Sequence, residues 1–145
     1  MRSITPMLPN PTKDSPNKDS LVLIIDDDHS VRLLTDRLVM TFGYTPLTAA
    51  DGAKGIALFE ANAAKIGAVV LDMTMPDLNG EETFRKLRAL APGLPIIFTS
   101  GYEKGKAVAL DERTEFLQKP FKRGELLDKL KKFLDREPSA AQTAI

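Results

Sequence analysis

The chain of 145 residues has no cysteine. Disulfide frameworks, thiolate zinc sites and cysteine nucleophiles are excluded together. It has one histidine, His29, so sites that need several imidazoles are excluded as well. No charge of either sign predominates: 20 basic and 20 acidic side chains cancel. A global basic field for holding nucleic acid is therefore missing, and no direct nucleic-acid binding is expected. No apolar run approaches the roughly 20 residues of a membrane helix. The first twenty residues also lack the apolar stretch of a secretory signal. These absences predict a soluble cytoplasmic protein without membrane insertion.

The length suits one domain with a hydrophobic core that needs no metal or disulfide staple. Residues 1–20 hold four of the ten prolines and no glycine or aromatic residue. Such a stretch has too little apolar surface to offset its ordering entropy and reads as a disordered tail or linker. Pro138 stops the last helical pattern, and 137–145 reads as a second tail. The folded unit is expected over 21–136.

Inside that unit apolar runs alternate with helical patterns. LVLII (21–25), 44–49, AVVL (68–71), PIIF (95–98) and EFLQ (115–118) read as strands. The first is continuously apolar, as in a strand covered on both faces, and Pro46 puts the second near an edge. Helices are expected over 30–42 with Val31, Leu34, Leu38 and Phe42 inward, after the cap Asp51, over 81–90, in a short form over 103–111, and over 123–136. Five strand–helix units in this order predict a doubly wound α/β fold: a five-stranded parallel sheet, in the flavodoxin-like order 2-1-3-4-5, with five helices on its two faces.

In such a sheet the functional groups gather outside the carboxyl ends of the strands. The first strand ends in Asp26-Asp27-Asp28, the third in Asp72, the fourth in Thr99-Ser100-Gly101, and the fifth in Lys119-Pro120. Clustered carboxylates repel one another unless a cation joins them, and Mg²⁺ suits a few carboxylates with water and a phosphate. A lysine and a hydroxyl opposite them can hold phosphate oxygens. The set equips one rim to place a phosphoryl group on a carboxylate and neutralise it. Taken singly, each residue has a plain structural role as a cap, a turn former or a solvated charge. Their joint occurrence at four strand ends carries the reading. Lys119-Pro120 is a candidate cis peptide.

The stretches LVLIIDDD, ADGAKGIALFE, VVLDMTMPDLNGEE, PIIFTSGY and FLQKPF, in this order and spacing, resemble the receiver domain of bacterial two-component response regulators. TSGY and FLQKPF also resemble receivers fused to hybrid histidine kinases. The resemblance implies Asp72 as phosphoacceptor and Asp26 and Asp27 as the acidic pair that holds Mg²⁺ with it. It implies the backbone carbonyl of Thr74 as a further ligand, Ser100 and Lys119 as partners of the phosphoryl group, and Phe116 as the aromatic switch residue. The implied donor is a phosphohistidine on a histidine kinase or histidine phosphotransfer domain, and the implied state is a monomer or weak dimer. Two departures stand out. Gly101 follows Ser100 where alanine is commoner, and the span from Ser100 to Lys119 is a few residues short, so the helix between them should be short or irregular.

The rival from another class is a haloacid-dehalogenase-type phosphatase with Asp26 as nucleophile, since Asp-x-Asp follows an apolar strand. That class needs a further acidic pair after the lysine. Glu125 and Asp128 instead fall inside the last helical pattern, and Asp72 is left without a role. A flavin-phosphate binder would be repelled by three aspartates after the first strand.

Overall fold

The computed structural model describes residues 20–73, 80–101 and 111–134. The elements are β1 (Leu21–Ile25), α1 (His29–Thr41), β2 (Thr45–Ala49), α2 (Gly52–Asn62), β3 (Ile66–Asp72), α3 (Gly80–Leu90), β4 (Ile96–Ser100), β5 (Thr114–Gln118) and α4 (Arg123–Leu134). All strand pairs are parallel, in the order β2-β1-β3-β4-β5. The described residues thus form four helices, not five. The short helix expected over 103–111 falls outside them except for Asp111, which is not helical. The two tails also lie outside them, but Ser20, assigned to the first tail, is buried, and its carbonyl accepts the Thr45 N–H.

Strand alternation divides the core in two. Leu23, Ile25, Val69, Leu71, Ile96 and Phe98 face α2 and α3 with Phe59, Phe84 and Leu87. Val22, Ile24, Ala68, Val70, Ile97 and Leu117 face α1 and α4 with Val39, Leu126, Leu130 and Phe133. A strand with large apolar groups on both faces is stable only between two helical layers, which is why β1 and β3 are central. β2 takes the edge, where the missing N–H of Pro46 costs no ladder bond.

The inward face of α1 differs from the one that periodicity suggests. Thr35 and Val39 are buried, Val31, Leu38 and Phe42 are half-buried, and Leu34 is 56% exposed. A buried threonine is tolerated here because its hydroxyl donates to the Val31 carbonyl at 2.8 Å. That bond lets the small side chain take the centre of the contact and leaves Leu34 at the rim.

Candidate functional site

The carboxyl ends of β1, β3, β4 and β5 converge. Asp72 is the last residue of β3 and pairs in register with Thr99 of β4. Only 2% of Asp72 is exposed, and Asp26, Thr99 and Ser100 are buried with it. Burying carboxylates is costly unless they are paired. Lys119, just past β5, supplies the pairing: its Nζ lies 3.2 Å from Asp26 Oδ2 and 3.4 Å from Asp72 Oδ1. Burial alone would lower the pKa of this ammonium, but Asp72 and Asp26 outweigh it and hold it above the ordinary lysine value.

The acidic triplet after β1 divides its labour. Asp28 is the helix cap, its carboxylate accepting the Val31 N–H at 3.1 Å. The Asp28 N–H in turn donates to Asp26 Oδ1 at 2.9 Å, which turns the Asp26 carboxylate into the site. Asp27 is exposed, yet oxygens of Asp26, Asp27 and Asp72 all lie within 4.8 Å of one another. Among the described residues, one ammonium thus bridges two of these three carboxylates. Three hard oxygen donors with surplus negative charge fit a divalent cation such as Mg²⁺. Thr74 lies outside the described residues.

Ser100 ends β4, and its carbonyl accepts the Lys119 N–H at 2.7 Å, so the hydroxyl-bearing and lysine-bearing strand ends are tied directly. The Lys119–Pro120 peptide is cis. Phe116 is half-buried and packs on the α2–α3 side of the core, opposite Phe98 in register. His29 is exposed at the start of α1, with Nδ1 3.2 Å from Arg32 Nη2. A groove of about 340 Å³ opens beside Lys119, lined also by Val31, Leu34, Pro120 and Phe121. No described helix is long and apolar enough to cross a membrane.

Three residues that shape the two ends of the sheet escape sequence reasoning. Arg32 donates from Nη1 to the Asp26 carbonyl at 2.8 Å. Gly80 begins α3 against the backbone that follows Asp72. A Cβ there would lie 2.3 Å from Met73 Cα and 2.6 Å from the Asp72 carbonyl oxygen, so any side chain would push the strand end aside. Arg88, at the far end of α3, anchors the starts of β4 and β5. Gly80, after Leu78-Asn79, is a turn signal visible in the sequence. The two arginines carry no local signature, because their partners lie at backbone carbonyls or far along the chain.

Comparison with known proteins finds a family model described as the response regulator receiver domain, matching residues 22–131. Sensor kinase CckA of Brucella abortus (strain 2308) is 31% identical over 119 residues, covering 80% of this chain and 13% of the kinase. Response regulator MprA of Mycobacterium sp. (strain KMS) is 35% identical over 118 residues, covering 79% of this chain. The chain spans 50% of the length of MprA. Among solved structures, a response regulator receiver domain protein from Clostridium thermocellum superposes with a TM-score of 0.75 at 27% identity, over 81% of this chain and 95% of its own. The structure of histidine kinase ThkA in complex with response regulator protein TrrA contains a chain that matches with a TM-score of 0.70 at 27% identity, over 79% of this chain and 98% of its own.

Proposed function

The chain belongs to the response regulator receiver domain family, and from that premise we propose that it accepts a phosphoryl group on Asp72 and relays it as a change of surface in a two-component pathway. The observation that carries this reading is the bridge of Lys119 between Asp26 and Asp72, with the oxygens of Asp26, Asp27 and Asp72 within 4.8 Å. Among the described residues, that cluster carries three carboxylates and the one ammonium that bridges two of them.

In the proposed reaction an Asp72 carboxylate oxygen attacks the phosphorus of a phosphohistidine. The P–N bond breaks, the imidazole leaves with its electron pair, and an acyl phosphate forms. Water later hydrolyses it to carboxylate and inorganic phosphate. Asp26, Asp27, Asp72 and the Thr74 carbonyl would hold Mg²⁺. When bound, that ion neutralises the charge that would repel the donor and the developing charge on the phosphoryl oxygens. Lys119 takes one phosphoryl oxygen as a point-charge partner, and the Ser100 hydroxyl donates to another. Movement of Ser100 would free space for Phe116 to turn inward, biasing two pre-existing arrangements of the surface. The partner is a histidine kinase or histidine phosphotransfer domain, in the cytoplasm, and the groove at Val31, Leu34, Pro120 and Phe121 flanks the approach to Asp72. An apolar residue of the donor's histidine-bearing helix fits there.

The test is mass spectrometry after incubation with acetyl phosphate and Mg²⁺. The phosphoryl group should appear on the peptide holding Asp72, and Asp72→Asn should abolish it. A group that persists in Asp72→Asn and vanishes in Asp26→Asn would make the phosphatase the better reading. Leu34→Arg should leave labelling by acetyl phosphate intact and slow transfer from a kinase.

A further inference from the structure

Asp26 stands just past the end of β1. Its N–H still joins the sheet, donating to the Ala49 carbonyl at 3.1 Å. Its carboxylate is turned by the Asp28 N–H and Lys119. Its carbonyl lies beyond the strand, and there Arg32 Nη1 donates at 2.8 Å, reaching back six residues along the chain from α1. The other terminal nitrogen of the guanidinium rests 3.2 Å from His29 Nδ1. The planar fork is thus fixed at both tips, and the side chain is half-buried.

The carbonyl in question belongs to the peptide that joins Asp26 to Asp27. A peptide unit is rigid, so a rotation of its plane swings the side chains on both flanks. Asp27 is exposed, and its placement depends on the backbone that carries it. Arg32 is also a cation that donates to the backbone carbonyl of an acidic residue rather than to its carboxylate. An ion pair to Asp26 or Asp27 would occupy the oxygens a metal needs. The bond to the carbonyl adds no competitor at those oxygens.

We propose that Arg32 is a positioning residue: through the Asp26 carbonyl it sets the peptide between the two acidic residues, and so the relative placement of their carboxylates for a divalent cation. The metal-binding part rests on the receiver reading above; the backbone part does not. Coulomb's law alone predicts the opposite effect of removing Arg32, because a like charge near a cation site weakens binding. The sign of the change therefore decides between positioning and simple repulsion.

The experiment compares wild type, Arg32→Met, which keeps the apolar stem without donors or charge, and Arg32→Lys, which keeps one charged donor. Mg²⁺ is titrated at constant ionic strength and followed by NMR, and amide exchange at Asp27 and Asp28 is measured without metal. Arg32→Met should bind Mg²⁺ about tenfold more weakly, the size seen for residues that orient metal ligands. Its Asp27 and Asp28 amides should exchange faster while those of β3 stay unchanged. Arg32→Lys should recover part of both losses. Affinity that is unchanged or tighter in Arg32→Met overturns the proposal. If wild type binds no Mg²⁺, the receiver reading fails, and unchanged exchange at Asp27 and Asp28 in Arg32→Met then overturns the positioning role by itself. Should Arg32→Met not fold, Arg32→Lys carries the same test. It should be weaker than wild type and exchange faster at those two amides, and equality with wild type overturns the proposal.

Discussion

Charge is gathered at both ends of the sheet, and the two clusters are built in opposite ways. At the carboxyl end one ammonium, Lys119, contacts two buried carboxylates, and a third from Asp27 stands within reach. At the amino ends of β4 and β5, Arg88 meets one carboxylate, Asp111, at 3.2 Å. Its remaining donors approach the carbonyls of Ala91, Pro92 and Leu94 and the Thr114 hydroxyl, and its guanidinium lies over Phe84. Asp111 is filled in turn by the Arg113 N–H and the Thr114 hydroxyl. The second cluster is balanced in charge, and Arg88 Nε, buried without a hydrogen bond, keeps its ion-pair contact with Asp111. Among the described residues the first has more acid than base, a surplus that a divalent cation would relieve. Geometry of a single ion pair would not separate the two; the surplus of charge does.

The comparison breaks most sharply at Arg88. Arg88→Ala should lower the free energy of unfolding in urea by about 3 kcal/mol, because it leaves carbonyls and a carboxylate without their donor. Mg²⁺ should restore none of it, and Mg²⁺ affinity should stay at the wild-type value. Lys119→Met should cost about as much, about 3 kcal/mol, since its side chain is only 22% exposed and it leaves two buried carboxylates without their ammonium. Here Mg²⁺ should recover the loss, because a divalent ion replaces the missing cation. The same unfolding series with and without the ion reads both variants.

Asp27→Asn sharpens the contrast from the other side. It should not lower metal-free stability, since it relieves repulsion, but should weaken Mg²⁺ binding at least about tenfold, measured by calorimetry. The smallest effect concerns acid. Burial would raise the pKa of Asp111, but Thr114, the Arg113 N–H and Arg88 outweigh it and hold the carboxyl below its ordinary 3.8. A lowered pKa stabilises the fold above the ordinary value, and that stability is lost as pH falls through the folded value. Wild type should therefore lose stability below about pH 4 more steeply than Asp111→Asn. Lys119 has the opposite sign: its raised pKa contributes fully below the ordinary 10.5 and is lost only as pH rises beyond it. Neither group should change stability between pH 5 and 9.

The strand order and the identity of the rim were legible in the sequence. Continuous apolar runs such as LVLII mark strands covered on both faces, and a parallel sheet brings every such strand's end to the same side. Asp26, Asp72, Ser100 and Lys119 could be grouped on that ground before any coordinate was known, and the structure brings the strand ends that carry them together. Within Asp26-Asp27-Asp28 the residues themselves offer no separate roles, because three identical side chains in a row have identical local chemistry; only the family resemblance singles out Asp26 and Asp27. Their division into a buried carboxylate, an exposed one and a helix cap follows from where α1 begins.

The inward face of α1 and the two arginines belong to the tertiary structure alone. Periodicity names a stripe of residues but not how the sheet beneath it is turned, so it points Leu34 inward where Thr35 is the residue buried. Arg32 reaches a backbone carbonyl, a partner that every residue possesses and no sequence pattern marks. Arg88 meets Asp111 and Thr114 more than twenty residues away. The apolar pattern determines which segments must be covered and therefore the topology. Which long polar side chain finds which acceptor is decided only once packing has fixed the distances, because a hydrogen bond holds over a few tenths of an ångström and the pattern carries no information that fine.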